Sequence, residues 1–323
     1  MHKNLKLGAA AVVGACLLSA CSLDDSSPTK EVEAGSLAEE GDLAGVELNV
    51  GGKEFTEQLI LCELTAQALE SAGAAVERTC GLNGTNPTRK ALTSGKIDLY
   101  WEYTGTGWIT HLGETETVSD PQQLFEQVAS ADEEQNSITW LEPSPANNTY
   151  AVAVSSEKAD ELGVTTLSDY AELANSDPEQ ASFCGAAEFF SRDDGWPGLQ
   201  EAYGFELPGD NVSELAAGPI YGAIDKADPC NFGEVFATDG RIAGFDLTVL
   251  EDDQQFFAIY NPAVSIRSEV LEENPQIADV LAPVSDALTD EALQSLNSQL
   301  DVEGGDEVTI ANDWLIEEGF IGE

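Results

Sequence analysis

The stretch Val46-Glu-Leu-Asn-Val-Gly-Gly-Lys-Glu-Phe-Thr56 decides the fold. Val46 to Val50 alternates apolar and polar residues, the pattern of a half-buried strand. Gly51-Gly52 is expected to break that strand. Thr56 is then placed to cap a helix, with Phe55 and Ile60 as a hydrophobic staple. Leu61, Leu64, Ala68 and Ala72 hold a helical period as far as Gly73. Ala75 to Thr79 reads as the next strand, Asn86 to Ser94 as a short helix, and Ile97 to Tyr100 as a third strand. Strand–helix–strand–helix–strand is the signature of a parallel α/β sheet.

A similar alternation follows. Tyr150 to Val154 reads as a strand, Leu167 to Ala174 as a helix, and Gln200 to Tyr203 as the end of another. Glu234 to Ala237 and Leu247 to Leu250 are strand candidates. Past Asn261-Pro262, Ala263 to Ile266 is one more short strand. The chain then turns helical over Glu269–Leu271, Ile277–Ala287, Asp290–Gln299 and Ile310–Glu318. The pattern implies two α/β lobes, residues 45–148 with 255–323 and residues 149–254. Ligands of such folds sit where strand ends of the two lobes face each other.

Upstream of Val46 the chain reads as targeting and tether. Lys3 and Lys6 precede a short apolar run, Gly8 to Leu18, too short to span a bilayer and typical of a signal peptide over residues 1–20. Leu18-Ser-Ala-Cys21 resembles a bacterial lipobox, with Cys21 as the lipidated residue. The rest of 21–44, rich in acids and without apolar periodicity, reads as a disordered tether. Together they predict a chain lipid-anchored on the extracytoplasmic face of the cell membrane.

The chain carries 60 acids against 13 basic residues, a formal net charge of −47. Nucleic-acid binding is excluded on that balance, because phosphate backbones need clustered Lys and Arg. With Cys16 in the leader and Cys21 lipidated, Cys62, Cys80, Cys184 and Cys230 remain. An even set in an exported chain suggests disulfides. Proximity favours Cys62–Cys80 and Cys184–Cys230 among the three pairings. The one histidine past the leader, His111, lies in Gly107-Trp-Ile-Thr-His111 beside no nucleophile motif, and reads as structural. Neither metal-ligand spacing nor a phosphate-binding glycine loop occurs, so no enzyme activity, metal or cofactor is expected.

The positive indication is aromatic. A quaternary ammonium has no N–H to donate, but its diffuse charge suits a box of ring faces, each worth roughly 0.5–2 kcal/mol. Tyr100, Trp101, Tyr103, Tyr150, Phe236 and Tyr260 lie at or beside predicted strand ends.

These residues sit in motifs that resemble the glycine betaine/choline-binding proteins of ABC importers, over about Val46 to Ile321. Gly51-Gly-Lys-Glu-Phe-Thr-Glu-Gln58 is similar to the family's opening strand-to-helix motif. Gly95-Lys-Ile-Asp-Leu-Tyr-Trp-Glu-Tyr-Thr-Gly-Thr106 is similar to its most distinctive stretch. Asn147-Asn-Thr-Tyr-Ala151, Glu188-Phe-Phe-Ser-Arg-Asp-Asp-Gly195, Phe236-Ala-Thr-Asp-Gly-Arg241, Leu250-Glu-Asp-Asp253 and Tyr260-Asn-Pro262 resemble later motifs, in order. The resemblance implies a two-lobe, periplasmic-binding-protein-like fold (type II, Venus-flytrap) with a hinge. It implies a quaternary amine ligand and ABC permease and ATPase partners. It places the aromatic cage on Tyr103, Tyr150, Phe236 and Tyr260, and contacts to a ligand carboxylate on Lys53, Thr106 and Arg192. Phe236 stands where the family often has Tyr, and Trp196 and Tyr221 are alternatives for that ring. The rival readings are a ligand-sensing receptor domain without transport and an anchored hydrolase.

Overall fold

Among the described residues, ten strands make two five-stranded sheets, with helices packed on both. The computed structural model describes residues 32–115, 118 and 120–323, so the leader, Cys16 and Cys21 lie outside the described residues. The first sheet is built from β1 (Glu47–Lys53), β2 (Ala75–Leu82), β3 (Leu99–Tyr103), β4 (Ile138–Trp140) and, late in the chain, β10 (Pro262–Arg267), in the order β2-β1-β3-β10-β4. The second holds β5 (Tyr150–Ser155), β6 (Phe183–Gly185), β7 (Val212–Glu214), β8 (Phe232–Phe236) and β9 (Leu247–Val249), in the order β7-β6-β8-β5-β9.

Both sheets are mixed rather than parallel. β1 runs parallel to β2 and β3, and β6 to β7 and β8. β10 is antiparallel to β3 and β4, and β5 to β8 and β9. The two reversed strands are the first ones the chain enters after passing from one sheet to the other. No helical crossover within the same sheet precedes them, so nothing imposes the parallel direction. Each is inserted between two strands of its sheet. Their first residues therefore open on the space between the sheets.

Gly51 and Gly52 do not break β1. A Cβ on Gly51 would lie 2.3 Å from Ile97 Cδ1, and one on Gly52 would lie 2.9 Å from the Gln58 carbonyl. The glycines are there for close approach, which carries the strand on to Lys53. Thr56 is not the cap of the following helix, Thr56–Ser71. Phe55 holds the N-cap position with no side-chain cap, and the Thr56 hydroxyl donates instead to Asp301 at 2.6 Å. That helix is buried on nearly every side, against β1 and β2 and under the C-terminal helices Gln276–Ala287, Asp290–Asp301 and Glu307–Glu317.

The expected tether fails for its last part. Ala34 bridges Ile321, the Leu37 N–H donates to the Phe320 carbonyl at 3.1 Å, and Leu37 and Leu43 are fully buried. Two isolated leucines give no period to read. Burying them yields roughly 1.5–3 kcal/mol each, enough to hold a short acidic segment down. Both favoured disulfides are present: Cys62–Cys80 ties the Thr56–Ser71 helix to β2, and Cys184–Cys230 ties β6 to the turn before β8. No helix among the described residues is long and apolar enough to cross a membrane.

Candidate functional site

Between the two sheets, within the compact unit of residues 32–323, lies a cavity of about 780 Å³. Lys53, Tyr103, Thr106, Tyr150, Arg192, Phe236 and Tyr260 all line it. The fold explains why residues so far apart in sequence converge. Lys53 and Tyr103 end β1 and β3, Tyr150 begins β5, Phe236 ends β8, and Tyr260 lies two residues before β10. These positions are strand ends aimed at the gap.

The rings form a connected wall. Tyr150 and Phe236 are register partners across β5 and β8, with centroids 5.3 Å apart. Tyr260 meets Tyr150 edge-on at 5.6 Å. Tyr103 joins them through Phe55, whose centroid lies 6.2 Å from Tyr103 and 5.4 Å from Phe236. Phe55 is a fifth ring that the sequence reading assigned to a helix staple. The alternatives to Phe236 lie elsewhere. Trp196 stacks on Phe183 at 4.1 Å, and Tyr221 sits under the Arg241 guanidinium at 4.0 Å, accepting the Phe236 N–H. Tyr100 and Trp101 are core: their polar atoms donate to Glu102 at 2.8 Å and Thr65 at 2.7 Å.

The cations of the site are already paired with protein acids. Lys53 Nζ is 2.7 Å from Glu102 Oε1 and 3.1 Å from Thr85 Oγ1, and lies 5.3 Å from the Tyr103 centroid. Burial would raise the Glu102 carboxyl, but Lys53 and His111 hold it below the usual carboxylate range. His111 Nε2 reaches Glu102 Oε2 at 3.0 Å, which gives this histidine a structural partner. Arg192 donates to Asp194 Oδ1 at 2.8 Å and Oδ2 at 2.5 Å, and to Glu188 at 3.0 Å. Its guanidinium lies 5.6 Å from the Tyr150 centroid. Tyr260 donates its hydroxyl to the same Asp194.

Glu54, Glu57, Glu214, Glu234, Asp239 and Asp301 also line the cavity; Glu57 and Glu234 are buried there, and nothing in the sequence pattern singled those two out among sixty acids. Glu57 accepts four side-chain donors: Tyr103 at 2.8 Å, Asn148 at 2.7 Å, Thr238 at 2.5 Å and Asn297 at 3.0 Å. Burial nonetheless pushes it above the ordinary glutamate range. Glu234 accepts the Ala186 N–H at 2.7 Å. Burial, with Glu188 nearby, pushes it up to about 8 against the pull of that N–H and of Arg192. Among the described residues no cluster of His, Cys, Asp or Glu is arranged to hold a metal ion. Chemically, this is a ring-walled, acid-rich cavity suited to holding a cation.

Comparison with known proteins points the same way. The model of the OpuAC family, "Substrate binding domain of ABC-type glycine betaine transport system", matches residues 46–317. A glycine-betaine-binding protein of Pseudomonas aeruginosa is 36% identical over 275 residues, covering 84% of this chain and 87% of that protein. The glycine betaine-binding protein YehZ of Escherichia coli is 36% identical over 280 residues, covering 84% of this chain and 91% of its own. The solved structure of apo YehZ superposes with a TM-score of 0.64 at 35% identity, over 85% of this chain and 99% of that one.

Proposed function

From the premise that this chain belongs to the OpuAC family of ABC-type substrate-binding domains, we propose that it captures a quaternary ammonium osmolyte and delivers it to an ABC permease. Glycine betaine, choline and carnitine are the candidate ligands. The protein acts by binding, without chemistry. The ammonium group sits among Tyr103, Tyr150, Phe236 and Tyr260, with Phe55 as a fifth ring, held by cation–π attraction. Residues 45–148 with 255–323 act as one lobe and 149–254 as the other. Because each lobe supplies rings, closing them completes the cage, so the ligand favours the closed form. Cys21 carries the lipid that keeps the protein at the extracytoplasmic membrane surface, where permease and ATPase subunits take over.

The observation that carries this reading is the connected wall of rings contributed by both sheets. Calorimetry with glycine betaine, choline and carnitine tests it. At least one is expected to bind, and Tyr103→Ala and Tyr260→Ala are each expected to weaken binding at least tenfold, about 1.4 kcal/mol. No heat with any quaternary amine would refute the ligand class. Unaltered binding by both variants would refute the cage.

A further inference from the structure

We propose that Glu234 sets the specificity of the site: its carboxyl, on the same face of β8 as the cage ring Phe236, accepts a hydrogen bond from a hydroxyl or N–H of the ligand. The ligand class is then a quaternary ammonium that carries a donor, of the choline type, in preference to a betaine ending in a bare carboxylate. This inference rests on the cation-cage reading above.

Three observations support it. First, the cations that would receive a ligand carboxylate are already occupied. Lys53 is 2.7 Å from Glu102, and Arg192 is bidentate on Asp194 and also bound to Glu188. Arg241, the other cation lining the cavity, is held by Asp239 at 2.5 Å. A ligand carboxylate would have to compete with these buried ion pairs.

Second, among the buried acids of the cavity Glu234 is the one with capacity to spare. Among the described residues its carboxyl takes one hydrogen bond, from the Ala186 N–H, and no Lys or Arg pairs with it. A carboxylate has about four acceptor sites. Glu57, by contrast, already accepts from four side chains.

Third, the spacing is right. Residues two apart on a strand project from one face about 6.6 Å apart. A cation against the Phe236 and Tyr150 rings therefore places a donor on its short arm toward Glu234. A ligand cation beside Glu234 favours its ionised, accepting form, whereas a ligand carboxylate there would disfavour that form. Burial of Glu234 adds to its need for a partner: the group is raised to about 8, and a bound cation with a donor relieves that cost.

Calorimetry on the full chain with tetramethylammonium, choline and glycine betaine tests the inference, using wild type, Glu234→Gln and Glu234→Ala. Tetramethylammonium reads the cage alone. In the wild type, choline is expected to bind at least tenfold more tightly than either other compound. In Glu234→Ala, choline is expected to fall to the level of tetramethylammonium, losing at least tenfold more affinity than tetramethylammonium loses. Glu234→Gln, which keeps an acceptor without the charge, is expected to lie between, and it preserves the test if the alanine variant does not fold. Glycine betaine binding the wild type more tightly than choline would overturn the proposal. So would a choline-to-tetramethylammonium ratio unchanged by both variants. Failure of all three compounds to bind the wild type would instead overturn the cage reading itself, and this inference with it.

Discussion

Phe55 shows how a residue's role depends on what surrounds it. Beside Ile60 its position in sequence suits a helix staple, yet its ring turns into the cavity and links Tyr103 to Phe236. That Tyr103, Tyr150, Phe236 and Tyr260 would meet in one cavity was legible because strand ends in this topology point at the gap, and motifs mark those ends. Glu57 and Glu234 were not legible, because sixty acids in the chain hide them. Glu234 also has a consequence for stability. Folded, it keeps its proton up to about pH 8; unfolded, it loses it near pH 4. Between those values the folded state binds the extra proton, so this group's contribution to stability falls as the pH rises. Glu57 is raised in the same direction, but it is common to wild type and variant and cancels in their difference. Glu234→Gln is therefore expected to gain on wild type by a few kcal/mol between pH 4 and pH 8. Urea denaturation at both values measures it, and a stability difference that stays constant with pH would show that Glu234 does not titrate as described.

At the scale of elements, alternating and helical periods located most of the longer strands and helices to within a few residues, but missed the helices Pro121–Asn136 and Ala217–Lys226. They did not reveal the direction of β5 or β10, because a local pattern records which face is apolar and not which neighbour it pairs with. Three-residue strands such as β4, β6 and β7 are too short to carry a period at all. The short helix Thr104–Thr106 illustrates what elements do for the site. A Cβ on Gly105 would lie 2.7 Å from Tyr260 Cε1 and 2.8 Å from the Ile259 carbonyl. The backbone oxygen has little room to yield, so the ring must shift. Gly105→Ala is expected to weaken quaternary ammonium binding about tenfold and to cost about 1–3 kcal/mol of stability, as overpacking does. Gly222→Ala is the control: it lies inside the Ala217–Lys226 helix with no atom within 4 Å of its new Cβ. It is expected to leave binding unchanged and to stabilise slightly. Calorimetry and thermal melts on both variants separate the two effects, and wild-type binding by Gly105→Ala would show that the Tyr260 ring has slack.

Across the whole molecule the two sheets were legible as two runs of alternating strands and helices. The tether was misjudged because docking by two leucines leaves no periodic trace. What dominates at this scale is charge. Lys53, Arg78, Arg89, Arg192, Arg241 and Arg267 all sit in ion pairs, so the net charge of −47 is a surplus of acids. Such self-repulsion opposes the compact state, and the same field draws cations toward the cavity. Salt acts on both. The Debye length shrinks from about 30 Å at 0.01 M to about 3 Å at 1 M. The melting temperature is therefore expected to rise steeply with added sodium chloride and then flatten as screening saturates. The association rate of a quaternary ammonium is expected to fall over the same range. Preferential exclusion of salt from the surface would instead strengthen burial progressively as salt is added. A melting temperature that rises linearly with salt, with an association rate that does not change, would show that surface repulsion contributes little and that the field does not steer the ligand.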